Sequence, residues 1–228
     1  MQIPTQSLLP NQMILESTLA LYYKNVSGTS FMINGSKGQY LVTAKHIFQD
    51  TIENTSVEVN IKGAHIDEKI TCNIFFHENL NVDIAILKLT KPLIIKKLPA
   101  LGRGDSYYIG QQCIFLGFPL FSLGTQTESG KLAFVKKAII SAFYDKNDGT
   151  TMMLLDGHNN PGFSGGPIIT YSETMDKQFI IGVISGYYYQ KNEISITDKM
   201  TEINENSGII ISYASEYILD IIKKIEIG

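Results

Sequence analysis

Cysteine, arginine and tryptophan are scarce in this chain of 228 residues. It has two cysteines, no tryptophan and, among 19 basic residues, a single arginine, Arg103. Cys72 and Cys113 lie in apolar contexts without C-x-x-C spacing, so we expect two buried free thiols, although one bridge between them is possible. A single arginine leaves few bidentate clamps for phosphate or carboxylate groups. A chain of this length buries roughly 70% of its unfolded surface, so its stability does not require disulfides.

The chain also lacks long hydrophobic runs and a surplus of charge of one sign. Its net charge is −3, with 22 acidic residues against the 19 basic ones, which favours neither nucleic acid nor an anionic membrane as a partner. No apolar run approaches the length of a membrane span, and residues 1–6 lack the basic and apolar regions of a signal peptide. We therefore expect a cytoplasmic protein. The four histidines and two cysteines show no metal-ligand spacing, so we expect no metal and no other cofactor.

Short apolar segments separated by turn clusters predict an all-β chain. Val57, Val59 and Ile61, for example, alternate with polar residues as a half-buried strand requires. Strands are predicted at residues 13–23, 28–33, 38–43, 56–62, 69–76, 83–90, 111–116, 130–142, 151–156, 166–170, 178–187 and 207–211. Their spacing favours one barrel over residues 12–95 and a second over residues 110–211. Apolar residues at helical spacing predict a C-terminal helix over residues 212–228, with Ser212 as its N-cap.

A turn of small residues surrounds one serine. Ser164 lies in the segment NPGFSGGP, residues 160–167. Glycine adopts backbone angles that other residues resist, so the hydroxyl can stay exposed while backbone N–H groups point inward. An acyl-transfer nucleophile needs both a reactive oxygen and amide donors for the oxyanion that forms when it attacks. By itself such a turn is weak evidence, because most glycine-rich turns have no catalytic role.

Two further motifs precede this turn. His46 ends the segment TAKH (43–46) after an apolar run, and Asp83 begins the segment DIAIL (83–87). Together with the serine turn, they resemble the motifs of the trypsin/chymotrypsin-like serine protease superfamily, in that family's order of His, Asp and Ser. The segments NPG before the serine, GTSF at 28–31 and IFLGFP at 114–119 are most similar to the HtrA-type branch. Without the resemblance, Asp83 could merely cap a strand, and Asp67 is the other candidate carboxylate.

The resemblance implies a fold and a set of roles. The expected fold is a single domain (1–228) of two six-stranded antiparallel β-barrels followed by the helix. Ser164 would be the nucleophile, His46 the general base and acid, and Asp83 the residue that orients the imidazole. The N–H groups of Gly162 and Ser164 would form the oxyanion hole, and the hydroxyl of Ser185 would support Asp83.

The resemblance also places a substrate pocket, although its preference is open. The predicted pocket residues are His158, Asn159, Ser185, Gly186, Tyr187 and Ile210. None of them is acidic, so a preference for lysine or arginine is not expected. A histidine could favour an acidic residue, or it could point away and leave an apolar pocket, which the isoleucines slightly favour. The expected partner is a polypeptide substrate, with a dedicated partner protein as a further possibility and the oligomeric state left open.

Two departures from the family shape the expected regulation. Relatives activated by clipping have an aspartate just before the serine that pairs with a new N-terminal amine, but this chain has Phe163 there. Activation by N-terminal clipping is therefore not expected. In HtrA-type enzymes the oxyanion turn can exist in ordered and disordered forms, and Gly162 makes such a switch plausible here. HtrA-type proteins usually carry a PDZ domain after the protease, and no PDZ domain is expected after the predicted helix.

The function expected from these motifs is a serine endopeptidase acting through an acyl-enzyme. Two other classes stay open at this stage. One is a catalytically silent or partner-switched protein-binding module on a protease fold. The other is an esterase or acyltransferase with the same triad, against which the absence of a G-x-S-x-G elbow and of βαβ alternation argues.

Overall fold

Two sheets of six antiparallel strands dominate the computed structural model, which describes residues 9–93, 97–119, 132–196 and 199–227. The first sheet contains β1 (Thr18–Tyr23), β2 (Val26–Gly35), β3 (Gly38–Thr43), β4 (Ser56–Lys62), β5 (Asp67–Phe76) and β6 (Ala85–Leu89). The second contains β7 (Gln112–Gly117), β8 (Phe134–Asp145), β9 (Thr151–Asp156), β10 (Pro167–Ser172), β11 (Lys177–Ile196) and β12 (Lys199–Ala214). A short helix α1 (Gln12–Ser17) precedes β1, and helix α2 (Ser215–Ile227) follows β12. The expected fold class is confirmed, and each predicted strand overlaps one observed strand.

Both sheets close into barrels. The first has the order β1-β2-β3-β6-β5-β4 and closes where residues 20–22 of β1 pair with residues 60–62 of β4. The second has the order β10-β11-β12-β9-β8-β7 and closes where Ile168 and Ile169 pair with Phe115 and Ile114. Closure removes free sheet edges within each barrel and directs alternate side chains inward.

Three apolar clusters follow from this alternation. One fills the first barrel and includes Val57, Val59 and Ile61, and a second fills the other barrel. The third lies between the barrels, where outward-facing residues of both meet one face of α2. The helix contributes its four buried isoleucines to this shared cluster: Ile218, Ile221, Ile222 and Ile225. Cys72 and Cys113 lie in different barrels with free thiols, and burial raises the pKa of each to about 12.

The two ends of the described chain cross over to the opposite barrel. Before β1, the backbone N–H of Asn11 donates to Gln178 of the second barrel at 3.0 Å, and the Gln178 amide donates to the carbonyl of Leu9 at 2.5 Å. After β12, Glu226 of α2 accepts hydrogen bonds from Ser36 and Tyr40 of the first barrel. The second barrel therefore binds the segment that leads into the first barrel, and the first barrel binds the helix that follows the second.

Some predicted element boundaries are wrong. Residues 13–17, predicted as the start of a strand, belong instead to α1, because the side chain of Asn11 accepts a hydrogen bond from the Ile14 N–H at 2.9 Å and caps a helical turn. Ser212 is not the N-cap of the last helix. It lies in β12 with its hydroxyl donating to the Met153 carbonyl at 2.5 Å, and α2 begins at Ser215. No described helix is both long enough and apolar enough to cross a membrane.

Strands β11 and β12 extend beyond the second barrel as a two-stranded ribbon. Strand β11 pairs with β10 as far as Val183, but its pairing with β12 continues from Gly182 to Ile196. Residues 204–208, which have the composition of a turn, lie in β12. Their polar composition resembles that of a turn because the ribbon has no barrel interior to face.

Candidate active site

His46 and Asp83 are in direct contact. His46 lies in a short 3-10 helix (Lys45–Phe48) that follows β3 and is fixed by the buried side chains of Ile47 and Phe48. Asp83 precedes β6 between buried Val82 and Ile84. One carboxylate oxygen of Asp83 lies 2.7 Å from His46 Nδ1, and the other accepts the His46 backbone N–H at 2.8 Å. These two contacts fix both the position and the ring orientation of the histidine.

The proton affinity of His46 reflects this contact. Burial lowers the pKa of the imidazole, whereas the hydrogen bond and the negative charge of Asp83 raise it. The raising influences dominate, so the pKa of His46 lies above its ordinary value of 6.5. A carboxylate on Nδ1 leaves Nε2 as the ring nitrogen available to a reacting group.

Ser164 is held on a tight turn at the junction of the barrels. The Gly166 N–H donates to the Phe163 carbonyl at 2.8 Å, and the Gly165 N–H donates to the Ile184 carbonyl at 2.7 Å. Gly165 has a φ of +85°, an angle that residues with a side chain rarely adopt. From the first barrel, the Thr29 N–H donates to the Ser164 carbonyl at 2.8 Å. The serine backbone is thus fastened from both barrels.

The turn before Ser164 has the features of a type II turn. Pro161 and Gly162 occupy its central positions, Gly162 has a φ of +99°, and the Phe163 N–H donates to the Asn160 carbonyl at 3.3 Å. A Cβ atom on Gly162 would lie 2.5 Å from the Phe118 carbonyl oxygen, so no side chain fits there. The Thr29 hydroxyl donates to the Gly162 carbonyl at 2.7 Å and thereby holds this peptide in one orientation.

Ser185 connects the serine and the carboxylate. Its hydroxyl donates to Asp83 Oδ2 at 2.5 Å, and its backbone carbonyl accepts the hydroxyl of Ser164 at 3.0 Å. Within the described residues, no hydrogen bond joins Ser164 Oγ to His46. The structure therefore brings together His46, Asp83, Ser185 and Ser164, with the Ser164 hydroxyl directed at a backbone carbonyl.

The predicted pocket residues lie in different environments. His158 is exposed, whereas Asn159 is only 1% exposed and donates to the Gly186 carbonyl at 3.1 Å. Ser185, Gly186 and Tyr187 are half-buried. Ile210 has no exposed surface and belongs to the interior of the second barrel, so it lies behind the surface that a substrate would touch.

A shallow cavity of ≈ 280 Å³ lies beside His46. Its lining includes His46 and Asp83 together with Phe48, Phe76 and Leu80. Two larger cavities, of ≈ 530 and ≈ 1010 Å³, lie along α2 and the outside of the first barrel and contain none of the predicted site residues. Within the described residues, no cluster of three or more His, Cys, Asp or Glu side chains forms a metal site.

Thr29 is a contact residue of the site that the motif analysis did not single out. It is fully buried, and besides its bonds to Ser164 and Gly162 it accepts the Phe118 N–H at 3.1 Å. The only sequence signal was its place in the GTSF segment. A buried threonine has no local pattern that distinguishes this role from ordinary packing.

Two closed antiparallel barrels, with a His–Asp pair and a serine turn fastened from both of them, define a chymotrypsin-like double-barrel protein. A family model described as a trypsin-like peptidase domain matches residues 28–175. The chain belongs to this family. No curated protein matches it significantly.

Solved structures of proteases have the same fold. The HtrA-type protease AlgW with a tripeptide is 19% identical, with a TM-score of 0.64, over 93% of this chain and 61% of that one. An inactive form of the Mycobacterium tuberculosis protease Rv3671c is 15% identical, with a TM-score of 0.59, over 97% and 98% of the two chains. A serine endoprotease from Yersinia pestis is 18% identical, with a TM-score of 0.62, over 93% and 64%. The present chain thus spans less than two thirds of AlgW.

Proposed function

We propose that this protein is a serine endopeptidase that hydrolyses peptide bonds through an acyl-enzyme, with Ser164, His46 and Asp83 as its catalytic triad. The observation that carries the proposal is the double contact of Asp83 with His46. A carboxylate that binds both Nδ1 and the backbone N–H of one histidine orients its ring for proton transfer at Nε2. Membership of a peptidase family supports the same reaction class.

The proposed first step is attack by Ser164 Oγ on the substrate carbonyl carbon. His46 Nε2 takes the hydroxyl proton as the C–O bond forms and then gives it to the leaving amine as the C–N bond breaks. Asp83 stabilises the imidazolium between these two transfers. The product of this step is an acyl-enzyme, in which the substrate acyl group forms an ester with Ser164. Water, activated by the same histidine, then hydrolyses this ester and regenerates Ser164.

The proposed oxyanion hole consists of the backbone N–H groups of Gly162 and Ser164. The type II features of the turn and the hydroxyl of Thr29 on the Gly162 carbonyl support this assignment, because they hold the intervening peptides in one orientation. A preorganised donor of this kind contributes about 3–4 kcal/mol to lowering the barrier. Glycine at position 162 is required, since a Cβ atom would collide with the Phe118 carbonyl.

We further propose that activation does not depend on a newly cut N-terminus. Phe163 occupies the position of the aspartate that pairs with such an amine in clipped relatives. Its side chain is fully buried in the second barrel and meets Phe115 edge-on, with ring centroids 5.1 Å apart. This apolar anchoring supports the serine turn without a salt bridge to a terminal amine.

The proposed substrate is an extended polypeptide. Beyond Val183, no described strand pairs with the edge of β11 opposite β12, and this edge begins beside Ser185. An extended peptide can add to such an edge by backbone hydrogen bonding. The related AlgW, solved with a tripeptide, supports the same substrate class. Cleavage of an internal bond of an extended peptide, abolished in Ser164→Ala, would separate this proposal from an esterase function, whereas turnover of a simple ester would not, because esters are intrinsically easier to hydrolyse.

The decisive test is covalent labelling of the nucleophile. The purified protein and its Ser164→Ala variant are treated with a fluorophosphonate probe, and labelling is followed by intact mass. We expect one adduct on the parent and none on the variant. Labelling of the variant to the same extent would contradict the assignment of Ser164.

A second candidate function is a catalytically silent or partner-switched binding module on this fold. One observation favours it: the Ser164 hydroxyl donates to the Ser185 carbonyl instead of His46. The similar Rv3671c structure is of an inactive form. No adduct on either the parent or the variant would favour this candidate, and recovery of labelling on adding a polypeptide would identify a switched enzyme.

A further inference from the structure

Lys136 occupies an unusual position on β8. Ala138 and Ile140 of this strand are buried in the second barrel, and Lys136 precedes Ala138 by two residues on the same face. Its partner in the neighbouring strand is Phe115, which is fully buried. Inward-facing positions of a barrel are normally apolar, and lysine is among the residues that are least often buried. A charged side chain at this inward-facing position of β8 therefore requires specific polar partners.

Among the described residues, the polar partners of Lys136 belong to the loop that leads to Ser164. The ammonium donates to the His158 carbonyl at 2.8 Å and to the side-chain oxygen of Asn160. It also lies 5.2 Å from the centre of the Phe163 ring. In the described part of the chain no carboxylate pairs with it, and burial lowers the pKa of its amine. Within the part of the chain that the structure describes, Lys136 thus directs its charge at residues 158–163.

These contacts act on the turn that carries the proposed oxyanion donors. Asn160 is the first residue of that turn, and its carbonyl accepts the Phe163 N–H. Lys136 holds the side chain of Asn160, the carbonyl two residues earlier and the ring at the end of the turn. Charge-assisted hydrogen bonds are stronger than neutral ones, so one ammonium can fix several groups of a short loop.

We propose that Lys136 is a positioning residue that holds residues 158–163 in the hydrogen-bonded turn required by Ser164. The inference rests on the proposed peptidase function and adds to it an explanation of why the turn before Ser164 is ordered. In clipped relatives a new terminal amine pairs with an aspartate before the serine. In this chain the amine is internal, on β8, and its partners are an aromatic face, a carbonyl and an amide.

The test compares three variants with the parent protein. Lys136→Met keeps most of the apolar stem but removes the ammonium, whereas Lys136→Arg keeps a cation with several donors. Lys137→Met removes the neighbouring lysine, which is exposed on the opposite face, and is the matched control. We expect Lys136→Met to lower the fluorophosphonate labelling rate and the kcat for a peptide by roughly tenfold or more, with KM changed less than about threefold. Lys136→Arg should recover most of the loss, and Lys137→Met should behave as the parent.

Hydrogen–deuterium exchange provides a readout that does not depend on activity. In Lys136→Met, we expect faster exchange confined to residues 158–166. Unchanged exchange in this segment, or a labelling rate equal to that of the parent, would overturn the proposal. Faster exchange throughout both barrels would also overturn it, because it would assign Lys136 to general stability. If the parent is not labelled even with added polypeptide, the peptidase function fails, while the exchange comparison still decides the role of Lys136.

Discussion

At the scale of single residues, the protonation of His46 links the site to pH. Its pKa is raised, since the hydrogen bond and charge of Asp83 outweigh the lowering effect of burial. The imidazolium therefore persists above pH 6.5, and catalysis by the neutral ring should rise only as pH passes this higher pKa. The contact of protonated His46 with Asp83 also stabilises the folded state. This contribution is fully present below pH about 6.5 and is lost as pH rises through the folded pKa of His46.

Replacing Asp83 by asparagine removes the raising influences and leaves the desolvation of the ring. We expect the His46 midpoint in Asp83→Asn to lie below that of the parent. Ring-proton NMR titration of both proteins, each carrying Ser164→Ala to prevent self-cleavage, measures this shift. A His46 midpoint equal to or above the parent's would contradict the assigned cause.

The same scale shows what short motifs can and cannot reveal. His46, Asp83 and Ser164 were selected because each stands in a distinctive local segment, and the structure brings His46 into contact with Asp83. Thr29 belongs to the GTSF segment, which does not distinguish its role from packing, and Lys136 belongs to no distinctive segment. The hydroxyl of Thr29 meets a carbonyl 133 positions away, and Lys136 meets residues 22 and 24 positions away. Contacts of this kind depend on barrel closure and strand register, which a single sequence does not display.

At the scale of elements, the end of α2 is held by one carboxylate. Glu226 accepts hydrogen bonds from the Ser36 hydroxyl at 2.7 Å, the Lys37 N–H at 3.1 Å and the Tyr40 hydroxyl at 3.2 Å. The bond from Ser36 is the main cause that lowers the pKa of Glu226. Burial, followed by the charge of Glu226, raises the pKa of Tyr40 to about 12. The carboxylate thus anchors the helix to the β2–β3 hairpin.

Glu226→Gln should weaken this anchor in a pH-dependent way. Because the folded pKa is lowered, the carboxylate stabilises the folded state above its ordinary pKa and loses this effect as pH falls through the folded pKa. We expect Tm at neutral pH to fall by about 2–4 °C, and the difference from the parent to vanish in acid. Thermal unfolding followed by circular dichroism measures both effects, with the exposed Glu68→Gln as the charge-matched control. A pH-independent difference would show that the charge is not the cause.

Element types were easier to predict than element limits. Short apolar segments between turns predicted a strand at every strand of the described residues, because each of these strands contributes buried residues to an apolar cluster. The predicted element limits were wrong where a polar side chain could form either of two kinds of hydrogen bond. Asn11 caps a helix that apolar residues alone made look like strand, and Ser212 uses its hydroxyl to bond across two strands instead of capping α2. The part of the ribbon at residues 204–208 has a turn-like composition because it has no barrel interior to face.

At the scale of the whole molecule, the shared cluster couples the barrels. Ile221 is 1% exposed and packs where α2 meets outward-facing residues of both barrels. We expect Ile221→Ala to lower the free energy of unfolding by about 2–5 kcal/mol, as a truncation that leaves a cavity does. Urea denaturation of this variant, with Ile227→Ala as the control, measures the loss. Ile227 is 75% exposed, so its truncation should change stability by less than about 0.5 kcal/mol.

Coupling also predicts how the molecule unfolds. If the cluster joins the barrels into one cooperative unit, Ile221→Ala should accelerate hydrogen exchange in the interior strands of both barrels to the same degree. Acceleration in one barrel alone would show that the barrels unfold separately and that the cluster is only a point of contact.

The crossed terminal segments have a consequence for synthesis on the ribosome. His46 and Asp83 are translated early, with the first barrel, but Ser164, which is the proposed nucleophile, the Gln178 partner of residues 9–11 and the Glu226 anchor all follow much later. A nascent chain halted after β6 contains the proposed base and the proposed orienting carboxylate, but not the serine that they would activate. Contacts of Thr29 with the serine turn and of Asn11 with Gln178 can form earlier, but the anchor at Glu226 forms only after α2 has been translated, so the two barrels become fastened to each other in stages.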